Sequence, residues 1–149
     1  MFNIPHIQIM SRQTKKRTLA FRGKHAMLDI SNLFSDSKTF LKQVSKLIYE
    51  STKSQPCKVV GKKAVLFDDT DLPGFASIIL LNESHGSVHY YGGEIGLCSI
   101  DIFTCGSSNP FTMMNYVEKE LKKLYPEMIV VKRHRLNRFA HHIKKSKRT

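Results

Sequence analysis

Tryptophan is absent from this chain, and cysteine occurs only three times, at Cys57, Cys98 and Cys105. An odd set of cysteines with no CxxC pair argues against a disulfide scaffold. It suits a reducing cytosol, so a cytoplasmic location is expected. The same lack of paired cysteines argues against a structural zinc site, and no metal is expected. No stretch approaches the roughly 18 consecutive apolar residues that a membrane span needs. Residues 1–11 lack the run of about 7–15 apolar residues that marks a secretory signal. Internal repeats and low-complexity tracts are also missing. Acidic residues are missing from both ends: residues 1–24 hold six Lys/Arg and no acid, and residues 131–149 hold eight and no acid.

With 149 residues the chain is long enough for one domain with a real core. Its net charge of +12 belongs to the ends, because residues 25–130 carry ten basic and twelve acidic residues, a balance of −2. The pattern divides the chain into a basic extension (1–22), a body (23–131) and a basic tail (132–149). The two ends are either solvated surface or a means of attracting nucleic acid or another polyanion.

Within the body, residues 24–30 fit a strand. Ser35 or Asp36 can cap a helix whose apolar stripe is Phe40, Leu41, Val44, Leu47 and Ile48. Ser54-Gln55-Pro56 ends it. Two short runs, 57–60 and 64–67, lie on either side of Gly61-Lys62-Lys63 and predict a hairpin. Residues 68–74 form an acidic loop. Phe75–Leu81, His85–Tyr91 and Leu97–Phe103 predict three strands, the first buried on both faces at its end. Asn109 caps a second helix with Pro110 at its first position, followed by Met114, Val117, Leu121 and Leu124. Met128–Val131 predicts a last strand. Strands dominate, and two helices suffice to cover one sheet face. The fold class is therefore α+β, a two-layer sandwich with a largely antiparallel sheet.

Residues 82–106 concentrate the chemistry. Ser84 follows Glu83 at a junction between strands, a place for a turn residue or an exposed nucleophile. His85, Ser87 and His89 fall on one face of a strand. Two such histidines with Cys98 or Cys105 could hold zinc. Cys105 with a histidine could form a thiolate–imidazole pair, or Cys105 could be a small buried side chain.

In order, Gly23-x-His25, an apolar strand ending in Glu83-Ser84-His85, His89, and Asp101-Ile102-Phe103-Thr104-Cys105-Gly106 resemble the prokaryotic, pyruvoyl-dependent S-adenosylmethionine decarboxylases. The resemblance covers roughly residues 23–130. It implies a proenzyme cut between Glu83 and Ser84, with Ser84 converted to a pyruvoyl group that acts as the electron sink for decarboxylation. It implies that His89 assists self-cleavage, that Cys105 returns a proton to the product carbon, and that the enzyme is a homodimer. The implied product is decarboxylated S-adenosylmethionine for spermidine synthesis. Substrate contacts are expected at Tyr91, Phe67, Asp68 and Glu94. Tyr91 stands where a tryptophan is usual, and Thr70 where an aromatic is usual; Phe67 or Phe75 could replace the latter. A second reading is an ornithine or arginine decarboxylase on the same fold, with Asp68, Asp69 and Asp71 pairing with the distal cation. A third is an inactive relative that binds nucleic acid through its basic ends.

Overall fold

A computed structural model of the chain describes residues 22–67 and 71–139. Six strands and two helices follow in the order β1 (Gly23–Ser31), α1 (Ser37–Thr52), β2 (Val59–Phe67), β3 (Gly74–Leu81), β4 (Ser84–Tyr91), β5 (Leu97–Cys105), α2 (Pro110–Leu124) and β6 (Ile129–Arg138). The strands form one sheet in the order β2-β3-β4-β5-β1-β6, antiparallel at every pairing. This is the expected α+β sandwich, with β2 and β6 as its edges.

Each strand alternates, so the sheet has two unlike faces. Leu28, Phe75, Val88, Ile100 and Ile102 point to one side and are buried against Phe40, Val44 and Ile48 of α1 and Met113, Val117 and Leu121 of α2. Both helices start where their caps say they should. The Asp36 carboxylate accepts from the Thr39 N–H at 2.8 Å, and the Asn109 side chain accepts from the Phe111 N–H at 3.0 Å. The Thr39 hydrogen bond also holds the Asp36 carboxyl below its usual pKa. The other face carries His25, Met27, Asp29, Ile78, Leu80, His85, His89, Asp101 and Phe103, and no described helix lies over it.

Three local expectations need correction. Residues 57–67 are not a hairpin. β2 runs straight through Gly61-Lys62-Lys63 and pairs with β3, absorbing the irregularity as a bulge between Val59 and Gly61. The lysines suit an edge strand, where they reach water and discourage further pairing. The end of β3 is not buried on both faces, for Ile78 and Leu80 are exposed on the uncovered side. The last strand does not stop at Val131 but pairs with β1 as far as Arg138. Its charges are tolerated because it too is an edge, and the pairs of Arg133 with Glu118 and Arg135 with Asn115 tie it to α2. Residues 132–138, assigned by charge to a tail, thus belong to the sheet.

Tyr90 fixes β4 in this arrangement. Its ring is fully buried between Phe40 and Phe75. Its hydroxyl accepts from the Ser35 N–H at 3.0 Å and lies within donating distance of the Ser35 and Leu33 carbonyls. Burial pushes the phenol pKa up, so the group stays neutral. Tyr90→Phe should strand the Ser35 N–H and cost about 1–3 kcal/mol. Urea unfolding should show this as a lowered midpoint with an unchanged slope; an unmoved midpoint would mean that the hydroxyl contributes nothing.

Candidate active site

β3 and β4 are joined by a two-residue turn, with Leu81 paired to Ser84 and Asn82-Glu83 exposed at the tip. Asn82 anchors this tip: its N–H donates to the Lys58 carbonyl at 3.0 Å, and its side-chain oxygen accepts from the Lys58 N–H at 2.9 Å. The next peptide bond, Glu83–Ser84, therefore leaves a fixed point. Ser84 Oγ accepts a hydrogen bond from the backbone N–H of Cys105 at 3.1 Å, across the adjoining strand end. Gly106 then turns the chain with φ +73°, a left-handed conformation that favours glycine. A Cβ at this position would come within 3.0 Å of the Glu83 carboxylate. Glu83, Ser84, Cys105 and Gly106 are thus gathered at one end of β4 and β5.

The three cysteines differ. Cys57 and Cys98 are buried, while Cys105 is partly open. Burial on the helix side pushes the Cys98 thiol far up in pKa and keeps it neutral. Cys105, by strand parity, faces the uncovered side with Phe103 and Asp101. Of the three it is the thiol placed to meet a ligand.

The remaining expected residues lie elsewhere. His89 is exposed on the uncovered face, stacked on Tyr91 with ring centroids 4.7 Å apart and 5.8 Å from the Phe67 ring. Phe67 ends β2, and Glu94 is exposed in the turn between β4 and β5. Asp68, with Asp69 and Thr70, lies outside the described residues; Asp71 is exposed. Phe75 is wholly buried in the core and unavailable to a ligand. His89 is five strand residues from Ser84, which at about 3.3 Å per residue separates them by roughly 16 Å. Because the spacing is odd, the two side chains also leave the strand on opposite sides. One chain therefore carries two groups at opposite ends of the sheet: Glu83, Ser84 and Cys105 at one, and His89, Tyr91, Phe67 and Glu94 at the other.

Several residues near the serine end were not singled out for roles by the sequence. The Phe103 ring lies on the uncovered face, 5.6 Å from His85 and 5.8 Å from His25, centroid to centroid. His25 Nε2 lies 3.2 Å from Asp101 Oδ1, without the geometry of a hydrogen bond. The alternation Asp101, Phe103, Cys105 was the signal that these side chains share a face. Arg138, over the same ring at 4.8 Å, was hidden in a run of charges.

Among the described residues no three His, Cys, Asp or Glu side chains are grouped to hold a metal. Nor is any described helix long and apolar enough to cross a membrane. The sequence model of one family, S-adenosylmethionine decarboxylase, matches residues 24–134. Similar curated proteins include the S-adenosylmethionine decarboxylase proenzyme of Symbiobacterium thermophilum, 28% identical over 100 residues, 66% of this chain and 73% of the relative. The protein of the same name from Acetivibrio thermocellus is 26% identical over 112 residues, 74% of this chain and 87% of the relative. That from Thermodesulfovibrio yellowstonii is 22% identical over 126 residues, 81% and 90% of the two chains. With the family match spanning most of the chain, and the Glu83–Ser84 turn lying inside it, this protein belongs to the S-adenosylmethionine decarboxylase family.

Proposed function

We propose that this chain is a proenzyme that cuts itself between Glu83 and Ser84 and then decarboxylates S-adenosylmethionine. The observation that carries the proposal is the Ser84 hydroxyl, held by the Cys105 N–H beside an exposed turn, within a family whose relatives are named as proenzymes. In maturation the Ser84 hydroxyl attacks the Glu83 carbonyl, and the peptide C–N bond gives way to an ester. Elimination then releases the chain ending at Glu83 as its carboxylate and leaves dehydroalanine at residue 84, which tautomerises to an imine; water hydrolyses the imine, releasing ammonia and leaving a pyruvoyl group. The fold suits such a cut. β3 remains paired with β2, and β4 remains paired with β5, so both fragments keep their place in the sheet.

The pyruvoyl carbonyl supplies the electron sink for the pair left when the substrate carboxylate departs as carbon dioxide. Cys105 donates the proton that replaces it, the role of a positioned general acid. Decarboxylated S-adenosylmethionine, the product, serves spermidine synthesis. No observation favours the ornithine, arginine or nucleic-acid readings.

We also infer a homodimer, because a single chain keeps His89 roughly 16 Å from Ser84. A second copy laid face to face and antiparallel on the uncovered face brings one protomer's His89, Tyr91 and Phe67 opposite the other's Cys105, at the strand end where Ser84 begins β4. In that arrangement His89 assists the cleavage of its partner and Tyr91, Phe67 and Glu94 line the substrate side. The face is suited to both jobs. Val65, Ile78 and Leu80, exposed by 57, 38 and 46%, offer apolar contact near one edge. Ser87, Ser99 and Asp101 keep the centre polar, as a cavity for a charged substrate requires.

Intact-mass measurement should show wild-type protein as fragments 1–83 and 84–149, and Ser84→Ala as one chain. Wild-type protein that stays whole under native conditions would contradict self-processing. Cys105→Ala keeps the backbone N–H that holds Ser84, so it should still cleave. Its turnover should fall by about 10²–10⁴, the usual loss of a positioned acid. Undiminished turnover would remove Cys105 from the chemistry.

A further inference from the structure

The three arginines of β6 are held differently. Arg133 makes a two-point pair with Glu118, and Arg135 donates to Asn115 and lies over Phe111, both on the α2 side. Arg138 lies on the uncovered side, 4.8 Å over the Phe103 ring and 5.6 Å from the Phe139 ring. Among the described residues its guanidinium makes no ion pair and no side-chain hydrogen bond. It is therefore an exposed cation whose donors have no side-chain partner among the described residues.

Register places this cation at the serine end of the sheet. Cys105 pairs with Gly23, and Gly23 pairs with Arg138, so the three form one row across β5, β1 and β6. Two strand spacings separate Cys105 from Arg138 by about 10 Å of backbone. The residue between them has no side chain. A Cβ at Gly23 would fall 2.8 Å from the Phe103 ring, which lies over the gap and carries the guanidinium on its surface. An anion brought to Cys105 from the uncovered side would lie on the same face as Arg138 and in the same row of the sheet. Arg138 also lies beyond the residues matched by the family, 24–134.

Resting on the decarboxylase reading, we propose that Arg138 recognises the α-carboxylate of the substrate amino acid. The guanidinium fork matches a carboxylate at two points. Because that carboxylate leaves as carbon dioxide, the contact is strongest in the ground state and fades in the transition state. It therefore lowers KM without raising kcat.

The test compares processed wild-type and Arg138→Gln enzyme, with cleavage verified by mass. KM for S-adenosylmethionine should rise about tenfold or more, as loss of a hydrogen bond to a charged group does. Its kcat should stay level or rise. Calorimetric affinity for decarboxylated S-adenosylmethionine, which lacks the carboxylate, should not change. Arg138→Lys should fall between the two, and decides the matter by the same two readings if Arg138→Gln does not mature. An unchanged KM, or equal weakening of substrate and product, would overturn the proposal, the latter by showing that Arg138 only supports Phe103. If wild type cleaves and turns over while KM is unmoved, only the carboxylate contact fails. If wild type neither cleaves nor turns over, the decarboxylase reading fails and the contact with it.

Discussion

The hydrogen bond from the Cys105 N–H to Ser84 Oγ exists only while β4 and β5 keep their register. A slip of one residue would send His89 and Tyr91 into the core and Tyr90 out of it. The structure resists that slip at Tyr90, whose ring is enclosed by Phe40 and Phe75 and whose hydroxyl is tied to the connection between β1 and α1. An aromatic that never meets substrate thus sets which side chains can.

Among the described residues the helices cover one face of the sheet and leave the other open, and Cys105 and His89 both lie on the open one. Its middle is polar, with Asp101 beside His25 and serines on β4 and β5. Such a face is a poor dry core but a serviceable cavity wall. It also explains why one chain holds the site in two halves. Strand geometry separates Ser84 from His89 by roughly 16 Å, and no bend in β4 brings them together. In the homodimer proposed above, a symmetric partner would solve this at both ends at once, each copy supplying what the other lacks.

Much of this was legible in the sequence. The caps at Asp36 and Asn109, the helix stripes and the β3-β4-β5 meander follow from local chemistry, and the Glu83–Ser84 junction with Cys105 nearby followed from motif and alternation. What stayed hidden depended on distant pairing. Gly61-Lys62-Lys63 has the composition of a turn but lies within β2, because β3 offers a ladder and the edge position gives the lysines water. Residues 132–138 have the composition of a solvated tail, yet β1 had an open edge to bind them. Charge is local information, and strand partners are not. His89 shows the same limit in another way: five residues is near along the sequence and far along an extended strand.

The account turns on a site completed by two copies, and mixed protomers test it most directly. Ser84→Ala has no serine to process, and His89→Ala has the serine without its own histidine. When the two are co-expressed, intact mass should show the His89→Ala chain cut into 1–83 and 84–149, rescued by the histidine of its Ser84→Ala partner. The His89→Ala protein alone should stay largely whole. If the His89→Ala chain remains uncut in verified mixed dimers, or cleaves normally without a partner's histidine, the two-copy site is contradicted.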